Sequence, residues 1–215
     1  LSEENRGYVC ALANAIYMKA DWVNKFEKEG TYKETFTDIN GDESEIDFMH
    51  QAADFKYYEN GDTKAVKLPY ENGLSMVVVL GDTKNILNDI HNNKMTSKLV
   101  DVSLPKFKAE YSIDYVNILK NMGIEKAFDN QNADFSLMLE NYPERIKIDS
   151  VLQKAMIDVD EKGTEAAAAT VAVLTKSALS VDEEVIEFRA DKPFTYYILD
   201  DNGNVYFAGR YVKAE

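Results

Sequence analysis

The chain has 215 residues, 45% hydrophobic and 11% aromatic, enough apolar mass for one large core or two small ones and too much for a disordered chain. Its 38 acidic and 24 basic residues leave a net charge of −14, so like-charge repulsion disfavours a broad phosphate-binding surface and nucleic acid is not expected as a partner. No apolar run approaches the ~18 residues that cross a bilayer, MVVVL at 76–80 being typical of the short pieces present, and no membrane span is expected in this stretch.

The chain opens LSEENRGY, without an initiator Met, and reads as a piece of something longer. Residues 8–19, YVCALANAIYMK, are apolar almost throughout, which predicts a buried strand with neighbours on both sides. The lone cysteine, Cys10, lies in that run and is expected as a buried structural thiol. TYKETFT at 31–37 and EIDFM at 45–49 alternate about an Asn-Gly turn and predict a hairpin; DFKYYEN, TKAVKLPY and LSMVVVLG predict a meander. A short helix is expected within Lys84–Asn92. Ile113, Val116, Leu119 and Met122, spaced by three after Ser112 as N-cap and ended by Gly123, predict a helix of about ten residues. FTYYILDDNGNVYFAGRYV closes the chain as a hairpin around Asp201-Asn202-Gly203. The class is α+β, rich in antiparallel strands.

Enzyme motifs are weak. His50 and His91 have no second ligand at metal spacing, so no metal is expected. There is no Gly-x-Ser-x-Gly elbow, and the ten glycines are scattered without a phosphate-cradling loop. Asp158, Asp160 and Glu161 read as a solvated acidic face at this net charge. Neither catalysis nor a cofactor is expected.

The unusual stretch is DEKGTEAAAATVAVLTKSALSVDEEV, 160–185, an uncharged ten-residue centre between acidic flanks. Two conformations fit. Alanine favours a helix capped by Thr164 with Glu165 in its first turn. Against it, Thr170, Val171 and Val173 are β-branched, and apolar residues would cover every face. As a strand, Thr164, Ala166, Ala168, Thr170 and Ala172 form one small-residue face, while Glu165, Ala167, Ala169, Val171 and Val173 share the other. Such a strand enters a packed sheet without overpacking it.

Glu161-Lys162-Gly163-Thr164-Glu165-Ala166-Ala167-Ala168-Ala169-Thr170 resembles the hinge of an inhibitory serpin. LANAIYMKADW at 12–22 is similar to the third strand of that family's large sheet, Ala133-Asp134-Phe135-Ser136 to its ADFS motif, and LPKFKAEYSID at 104–114 to its LPKF segment. Phe188-Arg189-Ala190-Asp191-Lys192-Pro193-Phe194 and Phe207-Ala208-Gly209-Arg210 resemble its closing strands. The resemblance implies a serpin fold, mixed sheets with packed helices, whose N-terminal helical part precedes Leu1, with all 215 residues forming the C-terminal part of one domain. It implies an exposed reactive-centre loop over about 160–186 that a target protease cuts, after which the hinge arm inserts as a new strand and traps the acyl-enzyme. The alternative within the family is a non-inhibitory carrier or chaperone.

Counting from Glu161 as the family does places the reactive bond at Ser177-Ala178, with Lys176-Ser177 as the alternative register. A small Ser177 suits an elastase-like pocket, preferred over the trypsin-like pocket that Lys176 would need. Asn14 falls where the family has a polar residue controlling sheet opening. Its usual histidine partner is Gln153 here, a latch that does not titrate. Trp22 matches the family's tryptophan where the loop first enters the sheet. A secreted monomer without cofactor is implied, with a serine protease as partner.

Overall fold

The computed structural model describes residues 10–138, 146–164 and 185–214. The chain divides into two compact units, residues 19–108 with 158–215, and residues 1–18 with 109–157.

The larger unit is built on an eight-stranded sheet. β3 (Tyr32–Thr37) and the start of β4 (Glu43–Asn60) form the expected hairpin, with Thr37 opposite Glu43. Asp38 closes its turn, Oδ1 accepting from the amides of Asn40 and Asp42 at 2.7 and 3.0 Å. β4 is a single strand of 18 residues where the sequence suggests two separate segments. The link His50-Gln51-Ala52-Ala53 contains no Gly or Pro to break it, so both alternating runs share one backbone. The strand pairs first with β3, then with β7 (Thr96–Pro105), and last with β5 (Thr63–Pro69).

From β5 the sheet continues through β6 (Ser75–Leu80) and β12 (Phe194–Leu199) to β13 (Val205–Tyr211), and β11 (Ile186–Arg189) lies parallel to β7 at the other edge. Met76–Val79 are buried throughout because β6 is sandwiched in plane between β5 and β12 and covered on both faces, the environment an unbroken apolar run requires. α1 (Ile86–His91) falls within the expected span, and Ile86 packs on Tyr58, Ala65, Val77, Val79 and Leu199. On β13, a Cβ at Gly209 would stand 2.2 Å from the Tyr196 Oη, so glycine here makes room for the ring opposite it. The closing hairpin forms as expected, Tyr196 opposite Gly209.

In the smaller unit β1 (Ala11–Tyr17) pairs in parallel with β9 (Ser150–Asp160), and β8 (Phe107–Asp114) also pairs with β9. Burial of β1 was expected; instead Leu12 and Tyr17 are 47% and 41% exposed, because among the described residues β1 is paired only with β9. Cys10 is a half-buried free thiol, not a buried one. The expected ten-residue helix is also shorter. Ser112 and Ile113 extend β8, and α2 covers only Val116–Asn121. Asp114 decides the boundary: its Oδ1 accepts from the amides of Val116 and Val151 at 3.0 and 3.1 Å, and its Oδ2 from Ser150 Oγ at 2.7 Å. These bonds end β8 and start the helix at Val116, four residues beyond Ser112. Gly123, at φ +93°, stops it as expected.

Candidate strand-entry site

The site lies where β9 ends. Asp160-Glu161-Lys162-Gly163 is a tight turn, not the exposed loop expected to begin at 160. Asp160 Oδ1 holds it, accepting from the amides of Lys162 and Gly163 at 2.9 and 3.2 Å. After it, β10 (Gly163–Thr164) runs antiparallel to β9, Thr164 opposite Val159, and on its other side antiparallel to β2 (Ala20–Asp21), Thr164 opposite Ala20. Thr164 thus occupies an interior sheet position between two buried neighbours, Val159 and Ala20.

Gly163 is obligatory in this arrangement. Its φ is +145°, and a Cβ would stand 2.1 Å from Ala20 O, 2.7 Å from Asp21 Cα and 2.8 Å from Trp22 N. All three are backbone atoms, which cannot swing aside as a side chain can.

Trp22 forms the wall of the site. It is 1% exposed, stacks on Tyr70 with ring centroids 4.2 Å apart, and meets Phe26 edge-on at 6.2 Å. Its indole Nε1 donates to Asp160 O at 3.0 Å and its amide to Lys162 O at 2.8 Å, while the Phe26 amide donates to Glu161 O at 2.9 Å. The turn is therefore docked along 22–26 through three carbonyls.

Glu161, read from sequence as part of a solvated acidic face, is 5% exposed and pairs with Lys106 at 3.0 Å. Burial pushes its carboxyl up, but a hydrogen bond from its own amide and the Lys106 ammonium outweigh that and hold it below the usual carboxylate value. Nothing local in the sequence marks Lys106, which stands in the LPKF segment, because the acid it pairs with lies 55 residues away.

In the smaller unit, Asn14 and Gln153 are direct partners in the β1–β9 register. No side-chain hydrogen bond joins them, so the register aligns the two positions without linking their side chains. Glu165, Ala166, Ala167, Ala168, Ala169, Lys176, Ser177 and Ala178 lie outside the described residues. Among the described residues no cluster of His, Cys, Asp or Glu could hold a metal ion, and no helix is long and apolar enough to cross a membrane.

β10 is thus a two-residue strand seated between two others directly after a docked turn. The model of the serpin (serine protease inhibitor) family matches residues 3–214. The chain belongs to the serpin family. An uncharacterized serpin-like protein of Thermococcus kodakarensis is 37% identical over 93% of this chain and 48% of its own length. Antitrypsin of Bombyx mori is 31% identical over 94% of this chain and 54% of its own. Among solved structures, a highly specific serpin of the insect Tenebrio molitor is 31% identical, with a TM-score of 0.79 over all of this chain and 59% of that one. This serpin chain thus spans about half the length of the curated relatives it matches, and its mixed sheets with few helices are those of the serpin fold.

Proposed function

We propose that this serpin inhibits serine proteases as a suicide substrate. The observation that carries the reading is β10: the hinge has already begun a strand between β9 and β2, while β1 and β9 remain paired over seven residues, Ala11↔Ser150 to Tyr17↔Met156.

The serine hydroxyl of the protease attacks the Ser177 carbonyl carbon, an ester forms, and the amine of Ala178 leaves. The freed arm, running on from Thr164 antiparallel to β9, then enters between β9 and β1. One parallel ladder opens and two antiparallel ladders replace it, a net gain of one ladder. At about 0.5–1.5 kcal/mol per added hydrogen bond, with apolar burial besides, the gain is several kcal/mol. Taking in ~14 residues at ~3.3 Å each carries the tethered enzyme on the order of 45 Å. Small residues at Ala166 and Ala168 suit that passage, and Ser177 suits an elastase-like pocket.

The test uses the protein as encoded, incubated with elastase-like and trypsin-like proteases. A covalent complex that survives denaturant is expected with the elastase-like enzymes. Cleavage between Leu174 and Leu179 is expected to raise the melting temperature sharply. An unchanged melting temperature would remove the insertion step.

A further inference from the structure

β11 is the first described strand after the segment carrying the reactive bond, and it is held lightly. It is an edge strand of four residues, paired along β7 alone among the described residues. Its last residue, however, reaches much further. Arg189 Nη2 donates to Glu34 Oε2 on β3 at 2.7 Å, although β7 and β4 lie between the two strands.

The route across is a row of paired positions. Arg189 is opposite Ser103, and Ser103 is opposite His50, so the three project from one face of the sheet. Ser103 is small and leaves the guanidinium a path. Its Oγ lies 3.0 Å from His50 Nδ1, and Tyr32 stacks flat on the imidazole with centroids 4.3 Å apart. His50 Nε2 is buried without a hydrogen-bond partner, 3.8 Å from Glu34 Oε1. Glu34 is 15% exposed and Arg189 is its close cationic partner; Glu187 and Asp191 flank the guanidinium at 3.8 Å each. A half-buried carboxylate with one close cationic partner gives that partner a fixed address.

The hinge and β11 are the two ends between which residues 165–185 run. If the hinge fed more chain into the sheet before any cut, the slack would be drawn from that segment until β11 had to leave β7. We propose that Arg189 is a positioning residue for inhibition: its pairing with Glu34 pins β11, and with it the far end of the loop, so that the uncut protein keeps its loop available to a protease. The proposal rests on the inhibitor reading above.

Arg189→Gln, Glu34→Gln, the double variant and Arg189→Lys are compared with the wild type, all in the protein as encoded. Each is incubated without protease at 37 °C and its remaining inhibitory capacity titrated over time, with amide exchange followed in β11, β6 and β12. Arg189→Gln and Glu34→Gln are expected to inhibit normally at time zero but lose capacity about tenfold faster, with exchange faster in β11 and unchanged in β6 and β12. The double variant should lose it no faster than either single one, and Arg189→Lys should restore much of the wild-type lifetime. Wild-type lifetime and β11 exchange in Arg189→Gln overturn the proposal, as does exchange rising equally in β6 and β12. If the wild type traps no protease at all, the inhibitor reading fails separately, and β11 exchange still decides whether Arg189 pins the strand.

Discussion

Replacing Gly163 with alanine tests the entry site at its tightest point. The new methyl would lie 2.1 Å from Ala20 O, well inside van der Waals contact, at a φ of +145°. That backbone conformation costs a non-glycine residue on the order of 1–3 kcal/mol, before β10 is pushed away from β2. Opposing the displacement are three hydrogen bonds, from Trp22 N, Trp22 Nε1 and Phe26 N to the turn carbonyls, each contributing about 0.5–1.5 kcal/mol net. The strain is comparable with what holds the turn, so the docked state should lose about 3 kcal/mol, roughly a hundredfold in its equilibrium. The chain has one tryptophan, and it lies in contact with the turn. Gly163→Ala should shift Trp22 emission to the red as its indole N–H exchanges Asp160 O for water, and speed exchange of the Trp22 and Phe26 amides by about a hundredfold. Emission and exchange like those of the wild type would refute the reasoning, because a strand that tolerates a Cβ there is not seated between β9 and β2 as described.

Thr164→Arg should turn an inhibitor into a substrate: cleavage continues at its former rate, but insertion stalls on the cost of taking an unpaired guanidinium into an interior strand, each ~1.4 kcal/mol added to the barrier favouring hydrolysis tenfold. Glu165→Arg, on the other face of the alternation, is the control, and one-to-one trapping by Thr164→Arg would count against the mechanism. Ser177→Arg should move inhibition from elastase-like toward trypsin-like enzymes; a wild type already trapped by trypsin, with the cut sequenced after Lys176, would fix the alternative register instead. Glu161→Gln should destabilise by about 1–3 kcal/mol at neutral pH through the lost charged bond to Lys106. Because the folded carboxyl lies below its ordinary value of 4.5, that contribution is full above about pH 4.5 and disappears as pH falls through the folded value. Urea melts of both proteins from pH 7 to pH 3 should therefore converge at the acid end, and a constant gap would contradict the pairing.

The sequence made the strands legible wherever one face is buried: β3, β5, β6, β12 and β13 all fall on alternating or continuous apolar runs bounded by Gly, Asn or Asp. Alternation says nothing about where a strand stops being covered, which is why YVCALANAIYMK suggested burial and β1 is largely exposed. Spacing by three after Ser112 was a true helical signal outbid by β8 pairing and the Asp114 bonds, contacts made to residues far along the chain. Glu161, Gly163 and Thr164 stand in the stretch that resembles the family's hinge and Trp22 at a position that matches a family tryptophan, while from composition Glu161 read as surface. What makes Glu161 buried is Lys106, and what makes Arg189 an anchor is Glu34, 155 residues away. Pairings of that kind follow from strand order, which no local pattern encodes.

The uninterrupted β4 bears on how the large sheet comes apart. Because one strand is shared by the β3 hairpin, the β7 ladder and the β5 meander, none of these can peel away without exposing apolar side chains of the others, Phe48 and Met49 among them. Heat or denaturant should therefore melt this sheet in one cooperative transition, with no hairpin-sized intermediate. Assembly carries the corresponding delay. Phe48 must find Pro105 and Met49 must find Leu104 across more than fifty intervening residues, so the sheet belongs among slow, high-contact-order folders, with β4 the last common element on which its neighbours wait.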